Sequence, residues 1–168
     1  MQLHQQIFAA LTIVACLYAV ARGGAPERVT AIGFLCAFAL TNLFARSVWV
    51  AYSTIEWEVA AVDTSLALVV LLVALASCRF WAMGMAGMMI INVFGHLARM
   101  LDPGIVAKAY YALVALISYP MVLLLVIGTW RHRLRLRRFG IDYSWVWQLP
   151  PAYRMGWLAV PRQDGEKP

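Results

Sequence analysis

The chain reads as an all-α integral membrane protein, a bundle of five transmembrane helices with its N-terminus outside and its C-terminus inside. Three observations predict this class. Five apolar segments, each long enough to cross a bilayer, fill residues 7 to 130. An arginine-dense run, Arg131-His-Arg-Leu-Arg-Leu-Arg-Arg138, follows the last of them. The composition is 63% hydrophobic, with a mean hydropathy of +0.73 over 168 residues. A soluble domain of this size is close to half apolar, and here the excess comes in long runs, so lipid is the expected solvent.

A spanning helix needs ~20 mostly apolar residues. Span 1 covers about 7–22 by that rule and ends at Arg22-Gly-Gly-Ala-Pro-Glu-Arg28, where Gly-Gly and Pro mark a turn. Ala19-Val-Ala21 has the look of a small-residue cleavage site, but Met1 to Gln6 lacks the basic residues of a signal peptide, so the helix is expected to be retained. Span 2 covers about 29–52 and span 3 about 59–77, separated by Ser53-Thr-Ile-Glu-Trp-Glu58. Ser77-Cys-Arg79 is too short to be anything but a tight connection, so spans 3 and 4 should pair antiparallel. Span 4 covers about 80–100 and stops at Leu101-Asp-Pro-Gly104. Span 5 covers about 107–130, with Pro120 as an expected kink. Residues 1–130 therefore form the transmembrane domain and residues 131–168 a cytoplasmic basic and aromatic tail.

Orientation follows from short-loop Lys and Arg. Arg22, Arg28, Arg79 and the five arginines of 131–138 share one side of a five-span protein. Glu56, Glu58, Asp102 and Lys108 lie on the other. The basic side is expected to be cytoplasmic, and short loops without glycosylation sequons suit a multi-pass protein of a bacterial inner membrane. The net charge of +6 comes almost wholly from the C-terminal quarter, where it reads as a topology signal and a contact for anionic lipid rather than for nucleic acid.

Ionisable residues within a span are costly and by default suggest function. Asn42 and Arg46 are four apart in span 2, Asp63 lies one turn inside span 3, and Asn92, His96 and Arg99 share a face of span 4. All are expected in the outer half, as one polar cluster with Asp63 between Arg46 and His96 or Arg99. Read structurally, the arginines snorkel and the asparagines join helices. Read functionally, the cluster is a small polar pocket for a headgroup, a proton or a small anion.

No cofactor or metal is expected. His4 and His132 cannot face His96 across the bundle to hold haem, and no second ligand stands near His96 for zinc. Met83-Gly-Met-Ala-Gly-Met-Met89 reads as close helix packing rather than a copper site. Cys16, Cys36 and Cys78 lack paired spacing. Ser65, Ser77 and Ser118 have no placed His and acid, so an enzyme is not expected.

In the tail, Arg131, Arg133, Arg135, Arg137 and Arg138 are expected to continue span 5 among lipid phosphates. Tyr143, Trp145, Trp147, Tyr153 and Trp157 are too many aromatics for a solvated linker. They are expected to seat on the inner leaflet or on a partner. The favoured expectation is a small non-catalytic accessory or scaffold subunit, held against a membrane-protein partner or a second copy. The alternative is a small-solute transporter, channel or holin-like permeability protein using the polar cluster, and a minor third is an intramembrane enzyme using Asp63 and His96.

Overall fold

A computed structural model of the chain describes residues 3–44, 57–101 and 107–149. The described chain is all-helical, with α1 Leu3–Arg22, α2 Ala25–Phe44, α3 Trp57–Ala76, α4 Phe80–Leu101 and α5 Ala107–Phe139, then one turn of 3-10 helix at Val146–Gln148. Three of these, α2, α3 and α4, are long and apolar enough to cross a membrane. The α1 segment Gln6–Arg22 is apolar but shorter. The loop 53–56 and the turn at 102–104 lie outside the described residues.

Two boundaries differ from the sequence expectation. Residues 25–28 were expected in a turn, yet α2 begins at Ala25 and only Gly23 and Gly24 separate it from α1. Proline lacks an amide proton that the first helical turn would leave unpaired anyway, so Pro26 is compatible with a helix start. The last helix passes residue 130 and runs unbroken through Pro120 to Phe139. At 1.5 Å per residue its 33 residues extend about 50 Å, more than the ~30 Å hydrocarbon thickness of a bilayer.

The helices pack as a ring in chain order. Each touches the next, and α5 returns against α1, with a smaller contact between α5 and α2. The two described connections, Gly23-Gly24 between α1 and α2 and Ser77-Cys78-Arg79 between α3 and α4, are short enough that each pair must run antiparallel. Met85, Met89, Val70 and Leu125 fill the centre, with Ala19, Ala31 and Ala82 allowing close approach. The Met83–Met89 stretch thus divides: Met85 and Met89 enter the core while Met83 faces outward. Large apolar side chains such as Leu72, Leu75, Phe80, Phe94 and Leu123 stay exposed, as lipid-facing surface requires.

Gly128 on α5 has a specific packing role. A Cβ there would lie 2.6 to 2.8 Å from Trp81 Nε1, Cδ1 and Cε2. The indole ring is rigid and buried, so it cannot yield without moving its helix. Gly128→Val should lower stability by about 1–3 kcal/mol, the usual cost of overpacking. Thermal unfolding in detergent should show a lowered midpoint relative to Gly84→Val, since the nearest neighbour of a Cβ at Gly84 is the flexible Leu124 Cδ1 at 3.5 Å.

Candidate functional site

The bundle carries polar clusters at opposite ends. The end distant from the arginine run holds the residues singled out by sequence. Asp63 on α3 accepts a hydrogen bond through Oδ2 from Asn92 Nδ2 at 2.9 Å, and the same oxygen is 2.9 Å from His96 Nε2. Asn92 and His96 are buried, and Asn92 Oδ1 has no hydrogen-bond partner. Arg99 lies three residues beyond His96 on the same helix and is half-buried. Asn42 does not join them. Its side chain is exposed and donates to Phe38 O at 2.7 Å, within its own helix. Its amide is satisfied locally, on the preceding turn of α2. Arg46 lies outside the described residues.

The larger cluster is at the basic end, and the sequence reading missed its acids. Glu27, in the first turn of α2, is fully buried. Its Oε1 accepts from Trp81 Nε1 at 3.1 Å and stands 3.5 Å from Arg79 Nε. Arg79, in the α3–α4 connection, has only 2% of its side chain exposed and also reaches Asp142, with Nη1 2.8 Å from Oδ2. Two residues of α5 converge on the same carboxylate: His132 Nδ1 at 2.6 Å from Oδ2 and Arg135 Nε at 2.9 Å from Oδ1. Asp142 therefore receives three basic groups from two elements.

The local chain explains how Asp142 reaches them. Gly140 adopts φ 71° and its amide caps α5 on Leu136 O at 3.0 Å, a left-handed helix ending that glycine adopts without a Cβ penalty. The chain then turns back across the bundle end. Ser144 O accepts from Cys78 N at 3.4 Å, and Ser77 and Trp145 form an antiparallel bridge. Gln148 Oε1 accepts from the amides of Ser144 and Trp145 at 3.0 and 3.2 Å, while Trp145 and Trp147 stack at 5.0 Å. A Cβ on Gly24 would come within 3.0 to 3.1 Å of Glu27 Oε2, His132 Cε1 and Ser144 Oγ, so the α1–α2 turn also closes on this cluster.

The tail expectations change accordingly. Arg135, expected among lipid phosphates, pairs with Asp142 while about a third of its side chain stays exposed. Arg131, Arg137 and Arg138 are exposed and Arg133 is half-buried. Residues 141–149 dock on the chain's own α3–α4 connection, since Asp142 supplies the charge that Arg79 needs. Tyr143 and Trp147 remain 41% and 57% exposed. Tyr153 and Trp157 lie outside the described residues. Among the described residues, no three His, Cys, Asp or Glu side chains are grouped to hold a metal ion.

Burial would raise the Asp142 carboxyl, but hydrogen bonds from Arg135, His132 and Arg79, with the charge of Arg79, outweigh it and hold it below the ordinary aspartate range. A depressed pKa adds stability that is present above the unfolded value of about 3.9 and is lost as pH falls through the folded one. Residues 141–149 should therefore stay docked at neutral pH and detach in acid below about pH 4. Hydrogen exchange of that segment against pH should show the release, and Asp142→Asn should loosen it at neutral pH too.

Arg79→Gln leaves Glu27 and Asp142 without their shared buried cation. Removal of one partner from such a group costs about 3–5 kcal/mol, much more than loss of an exposed pair. Chemical denaturation should place Arg79→Gln far below the exposed Arg138→Gln.

Compared with known proteins, the chain matches no family model, no curated protein and no solved structure.

Proposed function

We propose that this chain is a small non-catalytic, multi-pass membrane protein that serves as an accessory or scaffold subunit of a membrane complex. It crosses a bacterial inner membrane five times, with the basic end cytoplasmic. The observation that carries the reading is the clasped tail. Asp142 fixes residues 141–149 on the bundle end and leaves Ile141, Tyr143, Val146 and Trp147 exposed. Aromatic groups held on a rigid base lose little entropy on docking, which is why such residues are enriched at protein interfaces. The proposed occupant is another membrane protein or a second copy, with anionic lipid around the arginines.

The packing between the two polar clusters supports this reading over a pore. Trp81 and Asn92 are separated by about 16 Å along α4 at 1.5 Å per residue. Met85, Met89, Val70 and Leu125 close that layer with buried apolar side chains. A second reading, a carrier of protons or a small solute, draws on Asp63, His96 and Asn92 and their mutual hydrogen bonds.

One experiment separates them. The tagged chain is purified from its native membrane in mild detergent and co-purifying proteins are identified by mass spectrometry. The scaffold reading expects a stoichiometric partner that is lost on deletion of 141–162 and kept in Asp63→Asn, whereas a lone chain or homo-oligomer shifts the weight to the carrier. Silent tail deletions, with loss of function confined to Asp63→Asn and His96→Ala and accompanied by lost flux, would overturn it in favour of the carrier.

A further inference from the structure

The basic end holds more hydrogen-bond donors than Asp142 can use. The carboxylate takes Arg79 Nη1 and His132 Nδ1 on one oxygen and Arg135 Nε on the other. Arg135 Nη2 and Arg79 Nε are buried without a hydrogen-bond partner, the latter facing Glu27 at 3.5 Å. An unpaired buried guanidinium donor is costly, and planar guanidinium forks favour carboxylate and phosphate oxygens. A carboxylate offers two oxygens, whereas a phosphomonoester offers three and up to two charges. The neighbourhood is a net cation once Asp142 leaves: Arg79, Arg135 and His132 then face Glu27 alone. It also lies at the end of helices about 30 Å long, at the depth of lipid phosphates.

We infer that Arg79, His132 and Arg135 form an anion site for a phosphomonoester, and that Asp142 is the internal carboxylate that occupies it. The phosphate and the docked tail are mutually exclusive, so binding of the anion releases residues 141–149. The inference goes beyond the scaffold reading, because anion binding here requires no partner protein. An internal competitor reduces apparent affinity in proportion to the fraction of time that it leaves the site free. Removing it should tighten phosphate binding on the order of tenfold or more.

The test uses the full chain in detergent, in wild-type and Asp142→Ala forms, titrated with inorganic phosphate, dioctanoyl phosphatidic acid or dioctanoyl phosphatidylcholine at matched ionic strength. Thermal stabilisation of Asp142→Ala by inorganic phosphate and phosphatidic acid, exceeding that of wild type, is the expected result, since a ligand that binds only the folded state raises its stability. Stabilisation by phosphatidic acid alone supports the site with a lipid headgroup as the source. The response should vanish in Asp142→Ala/Arg135→Gln and persist in Asp142→Ala/Arg137→Gln. Equal responses to phosphatidylcholine, or loss of the response on Arg137→Gln instead of Arg135→Gln, would overturn the inference. Should Asp142→Ala not fold, hydrogen exchange on wild type decides. Faster exchange of residues 141–149 in phosphate than in chloride supports the site, and unchanged exchange in both phosphate and phosphatidic acid refutes it.

Discussion

The arrangement of the basic end depends on one buried cation. Arg79 sits in a three-residue connection between two helices and cannot reach water, with 2% of its side chain exposed. An ammonium or guanidinium in that position must be neutralised where it stands. Glu27 approaches it from the start of α2 and Asp142 from beyond the end of α5. Those two contacts bring the first connection, the third connection and the tail to a common point. Asp142 in turn recruits His132 and Arg135, so part of the α5 basic run pairs within the protein.

Trp81 and Gly128 extend this constraint into the bundle. The indole donates to Glu27 Oε1 and lies against the bare Cα of Gly128. The hydrogen bond satisfies one carboxylate oxygen that burial would otherwise leave exposed to an apolar environment. Beyond Trp81 the buried face of α4 is apolar through Met85 and Met89, and its polarity returns at Asn92 and His96. The two clusters are thus separate chemical environments. One is a network of paired charges around a fixed tail, and the other a compact hydrogen-bonded group around Asp63.

The Asp63 group was partly legible because it depends on local rules. Asn92 and His96 are four residues apart on a helix and share a face whatever the tertiary structure. Asp63 matches their depth once α3 and α4 are joined by a tight turn. Asn42 departs from this because a polar side chain can satisfy itself on the preceding turn, which spacing alone does not reveal. Glu27 and Asp142 were not legible as partners. Glu27 follows Gly-Gly-Ala-Pro and resembles a loop acid, though an acid in a first helical turn was an available signal. Asp142 is the single acid in residues 131–150, and its position straight after the arginine run was the clue to a folded-back tail.

By itself the sequence determined the all-helical class, the membrane-scale length of the central helices, the tight α3–α4 turn and the concentration of positive charge at one end. Those properties follow from run length, hydropathy and turn chemistry, which act over a few neighbouring residues. Only the tertiary structure decided that the bundle closes α5 against α1, that Glu27 and Arg79 are buried together, and that Asp142 pairs with Arg135. These contacts join residues 27, 79, 135 and 142, and no local pattern encodes a pairing across such separations. They arise because closing the ring of helices leaves buried charges at its end, and each must find a counter-charge there or remain in water.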